Sequence, residues 1–340
     1  MTSVGYVSLG CPKALVDSEH IVTALADEDF SIVAEQDPAK VVVVNTCGFI
    51  NQAKAESYAA IEAALENDQE VVVTGCLGME KESLLKRFPS LKFVSGPGET
   101  VEVVNAVKRI TNQAKTPLSK DKFYGAEAGN RVLLTPNHYA YLKIAEGCNH
   151  KCTFCVIPAM RGPLASRGIR DILAEAEALA KNGVKELMLI AQDLSAFGLD
   201  NHYGSNSERH LDKREDVFYL SNELSSIVPW VRLHYVYPYP HVDKLVSLMA
   251  EKKILPYLDM PLQHGSPRVL GAMKRPASSE KTLERIQKWR TLLPDLSIRS
   301  NFIVGFPGET DEDVELLLEF LDEAMLDRVG CFTYSEVAGA

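Results

Sequence analysis

The sequence predicts an α/β protein of two units: an open parallel α/β domain, then a partial (β/α)6 TIM-like barrel. Three observations predict it. Short aliphatic runs alternate with segments of helical period, the pattern of parallel sheets with right-handed crossovers. One polar stretch, residues 113–137, breaks the alternation with Thr116-Pro117, Gly125, Gly129 and Thr135-Pro136. After it come six candidate strands, where a complete TIM barrel needs eight. The expected boundaries are a first domain over 1–112, a linker over 113–137 and a barrel over 138–340.

In the first domain, strands are expected over 4–8, 41–45, 71–74 and 91–94. The run 41–44 is purely Val, as suits a strand buried on both faces. A helix over 18–27 places Ile21, Val22 and Leu25 on one face, with Asp17 or Ser18 as its cap. Asn51 caps a second helix carrying Tyr58, Ile61 and Leu65. A third spans 80–88, stopped by Pro89, and a fourth spans 101–110. A short strand over 132–134 is expected in the linker. Barrel strands are expected over 139–145, 186–191, 231–236, 257–260, 298–304 and 330–334. Helices between them include 172–181, 242–251, 279–292 and 311–325. The last starts with Asp311, Glu312 and Asp313, acids at the positive end of the helix dipole, after Thr310 as cap. Residues 197–216 form a polar insertion at the barrel mouth. Trp230, Trp289 and the aromatic cluster at 235–239 are expected in the core, His264 as a structural histidine and Cys331 as a buried hydrophobe.

Composition excludes several classes. Of 340 residues, 46% are hydrophobic and 24% charged, enough apolar material for two cores and too much for a disordered chain. No run approaches the ~20 apolar residues of a membrane span, and the N-terminus shows no signal peptide. The net charge, 36 − 46 = −10, argues against a broadly basic nucleic-acid surface and fits a basic partner. A cytoplasmic location is expected, with the seven cysteines reduced.

Three of those cysteines carry chemistry by their spacing. Cys148, Cys152 and Cys155 form a C-x3-C-x2-C loop directly after the first barrel strand, at the strand's carboxyl end, where barrel active sites lie. Three thiolates can ligate three irons of a 4Fe–4S cluster and leave the fourth open. The competing assignment is structural zinc, with His150 as a fourth ligand.

Cys11, Cys47 and Cys76 are far apart in sequence, yet each lies just beyond a predicted parallel strand. Open α/β sheets place ligands at that edge. Gly10, Gly48, Gly75 and Gly78 flank them and leave room for a bulky group. Three small turn residues is the plain alternative; three in register make a second metal or cluster site.

The cysteine loop, with Phe154 before its last cysteine and a six-unit barrel behind it, resembles the radical S-adenosylmethionine (SAM) superfamily. With the second cysteine set, nearly the whole chain resembles the radical SAM methylthiotransferases. Ser8-Leu9-Gly10-Cys11-Pro12-Lys13, Asn45-Thr46-Cys47-Gly48-Phe49-Ile50 and Leu233-His234-Tyr235-Val236-Tyr237-Pro238 are similar to the branch acting on a ribosomal protein.

The resemblance implies two 4Fe–4S clusters and SAM as cofactors, with Cys148, Cys152 and Cys155 as catalytic cluster ligands and Cys11, Cys47 and Cys76 holding an auxiliary cluster. It implies cofactor contacts at Phe154, Gln192, Asp193, Gly305, Phe306 and Pro307. The Gly305–Pro307 turn also reads as a plain turn before a helix, and Gln192 and Asp193 as a loop cap. The implied activity is transfer of a methylthio group to the β-carbon of an aspartate in protein twelve of the small ribosomal subunit. That C–H is not acidic, so a carbon radical replaces proton abstraction. A small electron donor such as flavodoxin or ferredoxin is the implied redox partner. Methylthiolation of a transfer-RNA adenosine is the alternative substrate class, and a non-catalytic iron–sulfur carrier is the alternative from outside catalysis. The family also carries a small C-terminal TRAM-like β-barrel domain, for which this chain is expected to have no residues.

Overall fold

The computed structural model describes residues 2–34, 37–113, 131–200, 216–275 and 279–340. The chain divides into two compact units, Met1–Asn137 with Ala159–Arg161, and His138–Pro158 with Gly162–Ala340.

The first unit runs β1 (Thr2–Ser8), α1 (Pro12–Asp27), β2 (Phe30–Val33), β3 (Val41–Thr46), α2 (Asn51–Glu66), β4 (Glu70–Gly75), α3 (Lys81–Arg87), β5 (Phe93–Val94) and α4 (Thr100–Ile110). The sheet order is β2-β1-β3-β4-β5, with every pairing parallel. Side chains alternate across a strand, and this sorts the valines. Val42, Val44, Val71 and Val73 pack with Ile61, Ala64 and Leu84 on one face. Val41, Val43 and Val72 pack with Ile21, Leu25, Val103 and Val107 on the other. Every residue of β3 is buried, as a strand covered by helices on both faces requires.

Four local expectations need correction. Helix α1 begins at Pro12, not at residue 18. Pro12 suits the first helical position, where no amide hydrogen is needed, and extended Cys11 takes the cap position. Asp17 and Ser18 are therefore buried helix-interior residues, not caps. Asn51 is the first helical residue, and Ile50 holds the cap position without a side-chain bond. Strand β2 was not expected; its four residues are too few for a clear period. Finally, residues 132–134 form no strand. Their amides are taken by side chains of α1: Val132 donates to Thr23 Oγ1 (2.9 Å) and Leu134 to Glu19 Oε1 (2.9 Å). The expected linker otherwise lies largely outside the described residues.

Glu19 also pairs with Arg131, Oε2 to Nε 3.2 Å, both side chains 1% exposed. Removing one member of a buried pair leaves the other charge without its partner. Glu19→Ala should thus destabilise this unit by about 3 kcal/mol, read as a lower urea midpoint. An unchanged midpoint would mean that the pair contributes nothing.

The second unit runs β6 (Tyr139–Lys143), β7 (Ala145–Glu146), α5 (Ile157–Arg161), β8 (Ala165–Ser166), α6 (Ile169–Lys181), β9 (Glu186–Ile190), α7 (Val217–Leu224), β10 (Trp230–Leu233), α8 (Asp243–Ala250), β11 (Tyr257–Asp259), α9 (Pro267–Ala272), α10 (Ser279–Leu292), β12 (Ser297–Val304), α11 (Asp311–Ala324) and β13 (Arg328–Thr333). The last three residues of α5 count with the first unit. Six strands form a parallel sheet in the order β13-β12-β11-β10-β9-β6, the partial barrel expected from the sequence. Thr310 caps α11 through a reciprocal capping box with Asp313.

The antiparallel β7–β8 ribbon was not expected, because its strands have two residues each. Most of the insertion at 197–216 lies outside the described residues. Two core expectations fail. Cys331 is exposed, because among the described residues β13 pairs only with β12 and nearly all of its residues face outward. Trp230 is 53% exposed, because it opens β10 at the rim of the sheet. Trp289 is buried, its indole N–H donating to Asp243 (2.8 Å). Of the 235–239 cluster, Tyr237 is buried and Tyr235 and Tyr239 are half-buried.

Candidate cluster sites

In the first unit, the ends of three adjacent strands meet. Cys11 follows β1, Cys47 follows β3 and Cys76 follows β4. The loops touch. A Cβ on Gly10, whose φ is +100°, would lie 3.2 Å from Cys47 Cβ, and one on Gly48 would lie 2.9 Å from the Leu77 amide nitrogen. Only glycine permits both approaches. The polypeptide around Cys47 is pinned by Ser57 of α2, whose hydroxyl accepts from the Cys47 amide (3.0 Å) and donates to its carbonyl (2.9 Å). Asn45 Nδ2 donates to the Ala14 carbonyl and to Ser18 Oγ, both at 2.8 Å, tying β3 to α1.

Burial pushes the Cys47 and Cys76 thiols up, opposed by the positive charge of Arg161. Arg161 counts with this unit, is nearly fully buried, and donates to Asp17 Oδ2 (3.1 Å).

In the second unit, the loop from Gly147 to Phe154 has no helix or strand, so its shape comes from anchors. Cys148 N–H donates to the Gly162 carbonyl (3.1 Å), and Thr153 N–H to that of Met273 (3.1 Å). Thr153 Oγ1 donates to the Ala272 carbonyl (3.0 Å), and Asn149 Oδ1 accepts from Leu164 N–H (3.0 Å). The His150 amide donates to Cys148 Sγ (3.4 Å). Burial pushes the Cys148 thiol up to about 11 and raises that of Cys155. Ligation must therefore displace protons.

The expected cofactor residues gather at the same end of this sheet. Phe154 and Phe306 join one apolar cluster with Val269 and Met273. Gly305 and Pro307 are exposed beside them, and the Phe306 amide donates to Glu309 Oε2 (2.9 Å). Gln192 Nε2 donates to Glu146 Oε1, while its Oε1 is buried with no partner among the described residues. That orphaned acceptor suits an ammonium or amide donor of a bound molecule. Both oxygens of Asp193 are engaged, Oδ1 by Ser195 (amide 3.0 Å, hydroxyl 2.6 Å) and Oδ2 by His150 Nε2 (2.8 Å). The zinc alternative does not fit: the His150 ring faces Asp193 and Tyr239. His264 is buried; its Nδ1 accepts from Ser266 N–H (2.9 Å), and its Nε2 lies 3.8 Å from Glu309 Oε2 without a hydrogen bond among the described residues.

A family profile described as the radical SAM superfamily matches residues 142–321, and one described as uncharacterized protein family UPF0004 matches residues 3–96. A protein of Alkalilimnicola ehrlichii named ribosomal protein uS12 methylthiotransferase RimO is 55% identical over 99% of this chain and 75% of its own length. The chain belongs to the RimO family of radical SAM methylthiotransferases. A relative of the same name from Marinobacter nauticus is 55% identical over 99% of this chain and 73% of its own. Enzymes of this family work with SAM and two 4Fe–4S clusters.

Among solved structures, the radical SAM methyltransferase TsrM of Kitasatospora setae, with cobalamin and a 4Fe–4S cluster bound, superposes with a TM-score of 0.67. It is 16% identical over 98% of this chain and 75% of its own, a likeness of fold alone. No helix among the described residues is long and apolar enough to cross a membrane.

Sequence reasoning missed Ser57, Arg161 and also Arg275, whose guanidinium donates to Cys152 Sγ (3.7 Å). The first two sit 10 and 144 residues from Cys47 and Asp17. No local pattern ties any of the three to a cysteine.

Proposed function

We propose that this chain transfers a methylthio group to the β-carbon of an aspartate in ribosomal protein uS12, in the cytoplasm, with a flavodoxin or ferredoxin as electron donor. The observation that carries the reading is the pair of three-cysteine sites, each at the carboxyl edge of its own parallel sheet. The name of the close relatives supports the substrate, and the net charge of −10 suits a basic ribosomal protein.

Cys148, Cys152 and Cys155 hold the cluster that works with SAM, and Cys11, Cys47 and Cys76 hold the auxiliary one. When bound, these groups supply hydrogen-atom abstraction and an iron site for sulfur. The chain's own residues bind and orient. The buried Oε1 of Gln192 would accept from the amino group of a bound cofactor. Phe154 and Phe306 form the apolar wall beside it, and Gly305 and Pro307 shape the turn that leads there. Asp193 sets His150 and the cysteine loop.

The test is anaerobic incubation with SAM and reductant, offering uS12 and transfer RNA together, followed by mass spectrometry of both. A methylthio gain on an aspartate of uS12 is the expected result. A gain on transfer RNA, or none on either, would overturn the substrate.

A further inference from the structure

Arg275 lies just beyond α9, and its guanidinium is engaged on three sides. Nη1 donates to Cys152 Sγ (3.7 Å). Nη2 donates to the Pro261 carbonyl (2.6 Å). Cζ sits 3.9 Å from the centroid of the Tyr237 ring. The other contacts of that ring lead back to the cysteine loop. Tyr237 stacks on His150 with centroids 4.4 Å apart and planes 13° from parallel, and His150 is anchored by Asp193 (2.8 Å). The path thus leaves the loop at Cys152 and returns to it at His150. Swinging the guanidinium away would forfeit both the carbonyl and the ring.

No carboxylate among the described residues pairs with Arg275. A half-buried charge needs a counter-charge, and the sulfur of Cys152 is the group placed to supply it. A 4Fe–4S cluster bound by three thiolates is anionic and gains a further negative charge on reduction. A fixed cation and an N–H···S bond at a ligand sulfur both favour the more negative state.

We propose that Arg275 is a positioning residue that holds a fixed positive charge against Cys152 and raises the reduction potential of the cluster bound by Cys148, Cys152 and Cys155. This rests on the proposed assignment of those three cysteines as ligands.

The test isolates that cluster in the full chain carrying C11A, C47A and C76A, then follows its reduction by electron paramagnetic resonance in a potentiometric titration. Arg275→Gln keeps hydrogen-bonding capacity and removes the charge. It should lower the ratio of reduced to oxidised cluster at fixed potential about tenfold, equivalent to a midpoint lower by about 59 mV for a one-electron couple. Arg275→Lys keeps the charge and should stay closer to the parent. An unchanged midpoint in the Gln variant, or equal shifts in Gln and Lys, would overturn the proposal. If the Gln variant fails to load iron, Tyr237→Leu removes the ring that holds the guanidinium. It should shift the midpoint in the same direction, and no shift there would overturn the proposal as well. A parent chain with no cluster signal would remove the cysteine assignment instead.

Discussion

Replacing Cys148, Cys152 and Cys155 together by Ala is expected to abolish 5′-deoxyadenosine formation while about half of the iron remains, since thiolates are what hold these clusters. The three thiols sit on one loop anchored by main-chain and side-chain bonds that do not use sulfur, at Gly162, Met273, Ala272 and Leu164. Ala removes the ligands and the two bonds made to sulfur, from the His150 amide and Arg275, and leaves these four anchors standing, so loss of activity would not be loss of fold. The retained iron belongs to the first unit, which has its own core. Iron analysis and 5′-deoxyadenosine assay on one sample decide it. Full iron in the triple variant, or zinc in the parent protein, would show that the loop is not a cluster site.

The complementary variant, C11A with C47A and C76A, is expected to form 5′-deoxyadenosine on reduction and to make no methylthio product. The two units are compact and separately cored, so each can keep its structure when the other's site is emptied. Ser57 grips the Cys47 main chain, and Cys11 caps α1 through its extended backbone rather than its side chain; Ala preserves both. Cleavage and product should therefore separate completely. Product at the parental rate would remove the auxiliary role from these cysteines.

Some of this was legible in residue order, for physical reasons that differ by feature. The valine run at 41–44 predicts a strand buried on both faces, because a polar face would need solvent. The C-x3-C-x2-C spacing is itself geometry: eight residues cannot carry three thiols far apart. Cys11, Cys47 and Cys76 were legible only jointly, by their shared position after strands, and the structure brings their loops into contact.

Other features were not legible. Asp17 reads locally as a helix cap, yet Pro12 starts α1 earlier and turns Asp17 inward to Arg161. Cys331 and Trp230 read as core because both are apolar, but their exposure depends on which strand lies at the edge and where the strand opens.

What the sequence determined by itself, then, is the alternation of elements, the parallel sheets and the two cysteine sets. These arise from side-chain period and short covalent spacing, which act within a few residues. What only the tertiary structure decided is which groups surround each sulfur. Arg275 meets Cys152 across 123 residues of chain, and the orphaned oxygen of Gln192 is visible only once its neighbours are in place. Such contacts depend on the order of strands in the sheet and the depth of each loop. Those follow from the packing of the whole unit, which no local pattern records.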